Sequence, residues 1–226
     1  MPLSTPFDTH PLAEIRARIA AARPAGGVEL VAVSKRQPAA AIRALAAQGQ
    51  RAFGENYVQE AQAKARELGD LPLAWHLIGP LQSNKCRDAA ALFDCVQSID
   101  RDKLVGLLAR HRPADRPPLD VLVQVNVDDE DSKSGVAPAD AAALCDVVAA
   151  ESRLRLRGLM AIPAPHADMN ARRAAFARMR SLFESLQPGR PGFDTLSMGM
   201  SEDFELAIAA GATMVRIGTA LFGPRG

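Results

Sequence analysis

Two periods of apolar residues alternate along this chain. Short apolar runs of strand length fall at 28–34, 51–56, 74–79, 94–100, 119–127, 154–163, 195–200 and 213–223. Between them lie Ala-, Leu- and Arg-rich stretches with the three-to-four spacing of an amphipathic helix, at 38–48, 57–68, 81–92, 102–111, 138–152, 170–186 and 202–210. One more helical stretch, 11–23, precedes the first strand. Pro38 suits a first helical turn, where its missing N–H costs nothing. Gly49, Gly69 and Gly211 stand where C-terminal caps belong.

Eight strands alternating with helices predict a parallel sheet with helices outside it. Eight is also the number that closes a (β/α)8 barrel, a fold that starts at roughly 200 residues. The run from Val121 to Val127 is rich in β-branched residues, as a strand packed on both faces should be. A doubly wound open sheet is the competitor, but no GxGxxG turn follows the first strand. The expected fold class is therefore α/β, a single-domain (β/α)8 TIM barrel over residues 1–226. A chain of this length buries a core without metal or disulfide staples.

Charge and composition narrow the function. Lys and Arg number 27 against 26 Asp and Glu, so the net charge of +1 supplies no field for nucleic acid. No apolar run reaches the ~18 residues of a membrane span. Residues 1–11 lack the basic and apolar regions of a secretory signal. Cys86, Cys95 and Cys145 are an odd number without CxxC spacing and read as reduced thiols. The expectation is a cytoplasmic protein that binds neither nucleic acid nor membrane. The histidines His10, His76, His111 and His166 show no HxxxH pairing, which argues against zinc. Only five lysines occur (Lys35, Lys64, Lys85, Lys103 and Lys133), so chemistry that needs an amine has few candidates.

In a barrel of this kind, functional residues sit at the C-terminal ends of the strands. Lys35 follows the first strand and belongs at that rim. A desolvated lysine there becomes a nucleophilic amine that condenses with an aldehyde, whereas one that reaches solvent is only a rim charge. Gly199-Met200-Ser201 and Gly218-Thr219 fall after strands seven and eight, where barrels often bind phosphate. Ser201, just ahead of Glu202 and Asp203, reads as an N-cap whose helix could face an anion. Gly218 would let a backbone amide come close to it. The plainer reading of both is a capped helix and a tight turn. Arg216 stands in a strongly apolar strand, where a guanidinium must be paired. Its partner is either a structural carboxylate or a ring nitrogen or anion in the mouth. Arg216 and Gly218 are two apart and so face one side. These parts describe a site for a phosphorylated aldehyde. Pyridoxal 5′-phosphate and a phosphosugar both fit it, and spacing does not separate them.

Seven segments carry a resemblance. They are VAVSK at 31–35, FGENYVQE at 53–60, WHLIGPLQSNK at 75–85, SKSG at 132–135, RGLMAIP at 157–163, LSMGMS at 196–201 and MVRIGT at 214–219. In this order they closely resemble the pyridoxal phosphate homeostasis protein family, which is similar to the barrel domain of alanine racemase. The resemblance implies pyridoxal 5′-phosphate as cofactor, held as a Schiff base on Lys35. It implies Ser201, Gly218 and Thr219 as phosphate contacts, Arg216 facing the pyridine nitrogen, and Asn56 as a neighbour. An arginine there donates but cannot accept, so the ring nitrogen stays unprotonated and the cofactor is a weak electron sink. The family commonly reads Thr-Lys-Pro after this lysine; here Arg36-Gln37-Pro38 stands instead, which puts in doubt a second amine beside Lys35. Lys133 is another lysine within a family segment, either receiving cofactor or lying as a charge in the loop.

The implied role is a non-catalytic carrier that buffers the aldehyde or delivers it to apo-enzymes, as a monomer rather than a dimer. The alternatives are a weak amino-acid racemase and a ligand-free barrel for protein interaction. A two-base racemase needs a second base, which in alanine racemase is a tyrosine from a C-terminal β domain. The chain ends at Gly226, just past strand eight, so that domain is expected to be absent. Tyr57, the one tyrosine, begins the helix after strand two, and His76 stays open as a second base.

Overall fold

The computed structural model describes residues 10–22, 27–128, 134–164 and 168–223. Its eight strands are β1 (Glu29–Val33), β2 (Ala52–Glu55), β3 (Ala74–Leu77), β4 (Cys95–Ile99), β5 (Leu119–Gln124), β6 (Leu154–Met160), β7 (Thr195–Ser197) and β8 (Met214–Ile217). They close into a parallel barrel in sequence order, with β1 paired to β8 through Glu29↔Met214 and Val31↔Arg216. Helix α1 (His10–Ala22) precedes the barrel. The helices between strands are α2 (Ala39–Ala47), α3 (Val58–Glu67), α4 (Cys86–Leu92), α5 (Asp102–His111), α6 (Ala141–Ala149), α7 (Met169–Leu186) and α8 (Phe204–Ala209). The short α9 (Thr219–Phe222) follows β8. The strand-and-helix alternation expected from the apolar pattern is thus the observed order.

Alternation along each strand divides the core in two. Val31, Ala52 and Met214 cluster separately from the main core, as do Cys95, Leu122 and Met160. The intervening residues, such as Ala32, Phe53, Leu77 and Val96, join the larger core with the helices. Phe53, Phe93, Phe176, Phe193 and Phe204 are all fully buried there. Each such side chain contributes about 1.5–3 kcal/mol on burial, so the helix-facing layer carries most of the folding energy. The space inside the barrel is left for smaller and polar residues.

Several boundaries differ from the sequence expectation: β5, β6 and β7 end about three residues early, at Gln124, Met160 and Ser197, and others differ for local reasons. The apolar run 213–223 is a four-residue strand followed by the turn of α9, because Gly218 breaks the extended backbone before Thr219. Two expected helices begin late, after 3-10 turns at Ser83–Lys85 and Pro138–Asp140. Pro38 is the extended N-cap of α2 rather than its first helical residue. Gly49 and Gly211 take the left-handed conformation just past α2 and α8, whereas Gly69 does not.

Candidate functional site

The C-terminal ends of the strands surround a cavity of about 370 Å³. Lys35, Asn56, Ser201, Arg216, Gly218 and Thr219 all line it, so the fold brings together every site residue expected from the sequence. They come from the ends of β1, β2, β7 and β8. Val33 also lines the cavity, and the two-residue alternation carries Lys35 to the same side. Ile78, Ile162 and Met200 add apolar wall. The charged lining residues are three cations (Lys35, Arg172, Arg216) and two anions (Glu202, Asp203). Arg172 reaches to within 3.7 Å of Glu202.

Ser201 is not the N-cap of α8. That helix starts at Phe204, with Asp203 in the cap position. The Asp203 carboxylate instead accepts from the Met200 N–H at 2.7 Å, folding the 200–203 loop back on itself. Ser201 Oγ faces across to the first turn of α9 and accepts from the Ala220 N–H at 3.4 Å. It therefore joins the two loops after β7 and β8 at the edge of the cavity. Gly218 has a packing reason as well as an open face. A Cβ there would lie 3.3 Å from both Val33 Cβ and the Val33 carbonyl. A larger residue would push β8 from β1 and disturb the turn that carries Lys35.

Arg216 is 3% exposed and lies on the floor of the cavity. One terminal nitrogen donates to Ser197 Oγ at 2.6 Å, and the other donates to the Ala161 carbonyl at 2.8 Å. Burial lowers its pKa to about 10, with the charge of Asp203 acting the other way. It remains a cation at neutral pH.

The sequence reading missed the buried charges under the Lys35 turn. Ser34 Oγ donates to Glu55 Oε1 at 2.6 Å. Lys64, from α3, donates at 2.7 Å to each of the Ser34 carbonyl, Glu55 Oε1 and Glu60 Oε1. Glu60 also accepts from the Arg36 N–H, and Arg36 holds φ +63°, unusual for a residue with a side chain. Ser34 and Arg36, the residues on both sides of Lys35, are thus tied to one ion-pair cluster. Burial pushes the Glu55 carboxyl up, while Lys64 and Ser34 pull it back. The available signal was the i, i+4 pair of Glu60 and Lys64 on the helix after β2. Neither Lys64 nor Glu55 faces the cavity.

His76 and Tyr57 stand outside the cavity wall. Tyr57 is 62% exposed at the start of α3. His76 is buried deeper in the barrel, against Gln97. Lys133 lies outside the described residues, and with it part of the 132–135 segment.

The profile described as alanine racemase, N-terminal domain matches residues 11–226. A pyridoxal phosphate homeostasis protein of Pseudomonas aeruginosa is 56% identical over 219 residues, which are 95% of this chain and 94% of that one. This chain belongs to the pyridoxal phosphate homeostasis protein family. The Escherichia coli protein of that name is 51% identical over 224 residues, 96% of each chain. PipY of Synechococcus elongatus, solved with PLP bound, superposes with a TM-score of 0.84 at 41% identity, over 94% of this chain and 98% of PipY. The family's barrel is therefore the fold found here.

Proposed function

We propose that this chain holds pyridoxal 5′-phosphate in the cavity at the barrel mouth, as a monomer in the cytoplasm that buffers the aldehyde or passes it to apo-enzymes. The observation that carries the proposal is the convergence of Lys35, Asn56, Ser201, Arg216, Gly218 and Thr219 on one cavity. Their chemistry fits a phosphorylated pyridine aldehyde. Bound there, the cofactor supplies an electrophilic carbonyl to an amine. Lys35 would provide that amine and hold the group covalently as a Schiff base, with release of water. Ser201 and Thr219 offer hydroxyl donors to the phosphate, and the excess of one positive charge among the lining side chains favours an anion. Arg216 would face the ring nitrogen as a donor only, which would leave that nitrogen unprotonated. Ile78 and Ile162 supply apolar surface for the ring.

A carrier is favoured over a racemase by the position of the possible second bases. Tyr57 is turned to solvent and His76 is separated from the cavity by a layer of the barrel interior. The related Pseudomonas aeruginosa and Escherichia coli proteins bear a homeostasis name, in accord with this reading.

The test is an absorbance spectrum after loading with pyridoxal 5′-phosphate and removing the excess, followed by borohydride reduction and peptide mapping. A visible band with the adduct on Lys35 is expected, and Lys35→Ala loses both. The double variant Ser201→Ala with Thr219→Val should still form the adduct but lose the ligand faster on dilution. No band, or an adduct scattered over Lys64, Lys85 and Lys103, would overturn the proposal.

A further inference from the structure

The barrel interior holds a line of polar side chains that runs away from the cavity. Arg216 donates to Ser197 Oγ at 2.6 Å. Ser197 Oγ donates to Gln97 Oε1 at 2.7 Å. Gln97 Nε2 lies 3.0 Å from His76 Nδ1, and 3.1 Å from Met214 Sδ. His76 Nε2 lies 3.9 Å from Glu29 Oε1. Arg216, Ser197, Gln97 and His76 are all 5% exposed or less. At the far end, His76 and Glu29 border a second cavity of about 240 Å³, opposite the mouth. The line thus crosses the barrel from one cavity to the other.

Its direction follows from donor counting. A guanidinium has no acceptor, so Ser197 must accept from Arg216. Its single proton then goes to Gln97 Oε1. That fixes the amide: oxygen toward Ser197, nitrogen toward His76. An amide nitrogen only donates, so His76 Nδ1 must be bare and the ring proton must sit on Nε2, toward Glu29. The reverse order fails. With a proton on Nδ1, Gln97 would turn its oxygen to the ring and its nitrogen to Ser197, which would then accept from both Gln97 and Arg216 and lose Gln97 Oε1 as the acceptor of its own buried proton.

We infer that Ser197, Gln97 and His76 are positioning residues for Arg216, forming a one-way hydrogen-bond relay in which the guanidinium at the mouth sets the tautomer of the histidine at the opposite end. The relay keeps one terminal nitrogen of Arg216 turned down and away from the cavity. Together with the Ala161 carbonyl it fixes the plane of the guanidinium on the cavity floor. Only the identity of what Arg216 faces rests on the cofactor proposal. The groups facing His76 are Glu29 of β1, Asp94 and Cys95 at the start of β4, Asp120 of β5 and Arg157 of β6. Burial lowers the His76 pKa to about 4 despite Asp94 and Asp120, so the ring is neutral at pH 7 and the tautomer is the variable left to set.

The test is nitrogen-15 NMR of the histidine side chains in the ligand-free full chain at pH 7. His76 is expected with a bare Nδ1 and a protonated Nε2. In Gln97→Glu the carboxylate accepts on both sides, so the ring should switch to the Nδ1–H tautomer and its titration midpoint should rise. In Arg216→Met, Ser197 is free to turn, and the exclusive Nε2–H signal should give way to a mixture of tautomers. This last readout lies across the barrel from the substitution, and a purely structural role for Arg216 would not move it. An Nδ1–H ring in the unsubstituted protein would overturn the relay, as would a folded Arg216→Met with His76 unchanged. These spectra contain no ligand. A relay that stands while pyridoxal 5′-phosphate fails to load would sink the cofactor proposal alone.

Discussion

Lys64 and Arg216 are both buried cations, at 7% and 3% exposure, and the protein treats them in opposite ways. Lys64 sits outside the barrel wall, where its three ammonium protons meet three oxygens, two of them from carboxylates. Arg216 sits inside the barrel, and its hydrogen-bond partners among the described residues are two neutral oxygens. A lysine with every proton used is a fastener: it ties α3 to the turn that carries Lys35. An arginine with five N–H groups, held by two neutral acceptors at the floor of a cavity, keeps donor capacity for something else. The difference shows how to tell a structural charge from a charge kept for a ligand. Burial is the same in both cases, and the acceptor count is what separates them.

The largest break in this comparison should come from Glu55→Ala. Breaking a buried ion pair costs about 3–5 kcal/mol, and because Lys64 keeps Glu60 as its second carboxylate the loss should fall at the low end of that range, about 3 kcal/mol. Urea unfolding at pH 7 should read that loss. Replacing both partners, Glu55→Leu with Lys64→Met, should restore most of it, because an apolar pair avoids the desolvation cost. A full loss in the double variant would mean that the turn, rather than the charge, is what Glu55 supports. The carboxyl also has a pH signature. Its folded pKa is raised by burial above the ordinary value of 4.5. The folded state therefore binds the proton more tightly, and the contribution is fully present below the unfolded pKa and lost as pH rises through the folded one. Relative to Glu55→Gln, the wild type should lose stability as pH increases from about 4.5 upward through that window.

Arg216→Met should cost less. No carboxylate is orphaned by it; the Ala161 carbonyl loses one donor, which is worth about 1–3 kcal/mol. Retention of pyridoxal 5′-phosphate should fall much more clearly than stability. The opposite pattern, a severe folding defect with retention unchanged in the surviving fraction, would make Arg216 a fastener like Lys64. Unfolding midpoints and dilution-release rates measured on the same preparation decide this.

The eight strands were legible because each buries a short β-branched or apolar run while the helices keep a different period. Lys35, Ser201 and Arg216 were legible as well, since strand ends and a charge inside an apolar strand stand out by position. Ser201 as an N-cap was misread because the Met200 carbonyl takes the Asp203 and Phe204 N–H groups that its hydroxyl would have capped. The Glu55–Lys64 pair was hidden for another reason. Glu55 sits in a strand whose four residues are all buried, so its outward direction is invisible without the helix that covers it. The line from Arg216 to His76 joins β8, β7, β4 and β3, which only the closed barrel brings together.

Ser34 connects the saturated cation to the reactive end of the molecule, and the smallest expected effect tests it most finely. Its carbonyl accepts from Lys64, its hydroxyl donates to Glu55, and the next residue is Lys35. Ser34→Ala removes the hydroxyl alone. The carbonyl bond to Lys64 remains, and Glu55 Oε1 keeps its ammonium partner. The loss should therefore be that of one hydrogen bond to a charged group, about 1.5 kcal/mol, at the low end of the range for Arg216→Met and well below Glu55→Ala. The Glu55 carboxyl, having lost a donor, should titrate still higher, so the downward slope of stability with pH should extend further. Adduct formation on Lys35 should keep its site and change little in rate, because Glu60 still holds the Arg36 N–H. If instead Ser34→Ala costs as much as Glu55→Ala, the hydroxyl is what makes burial of the carboxylate tolerable. Lys64 would then be no more self-sufficient than Arg216, and acceptor count alone would not distinguish the two cations.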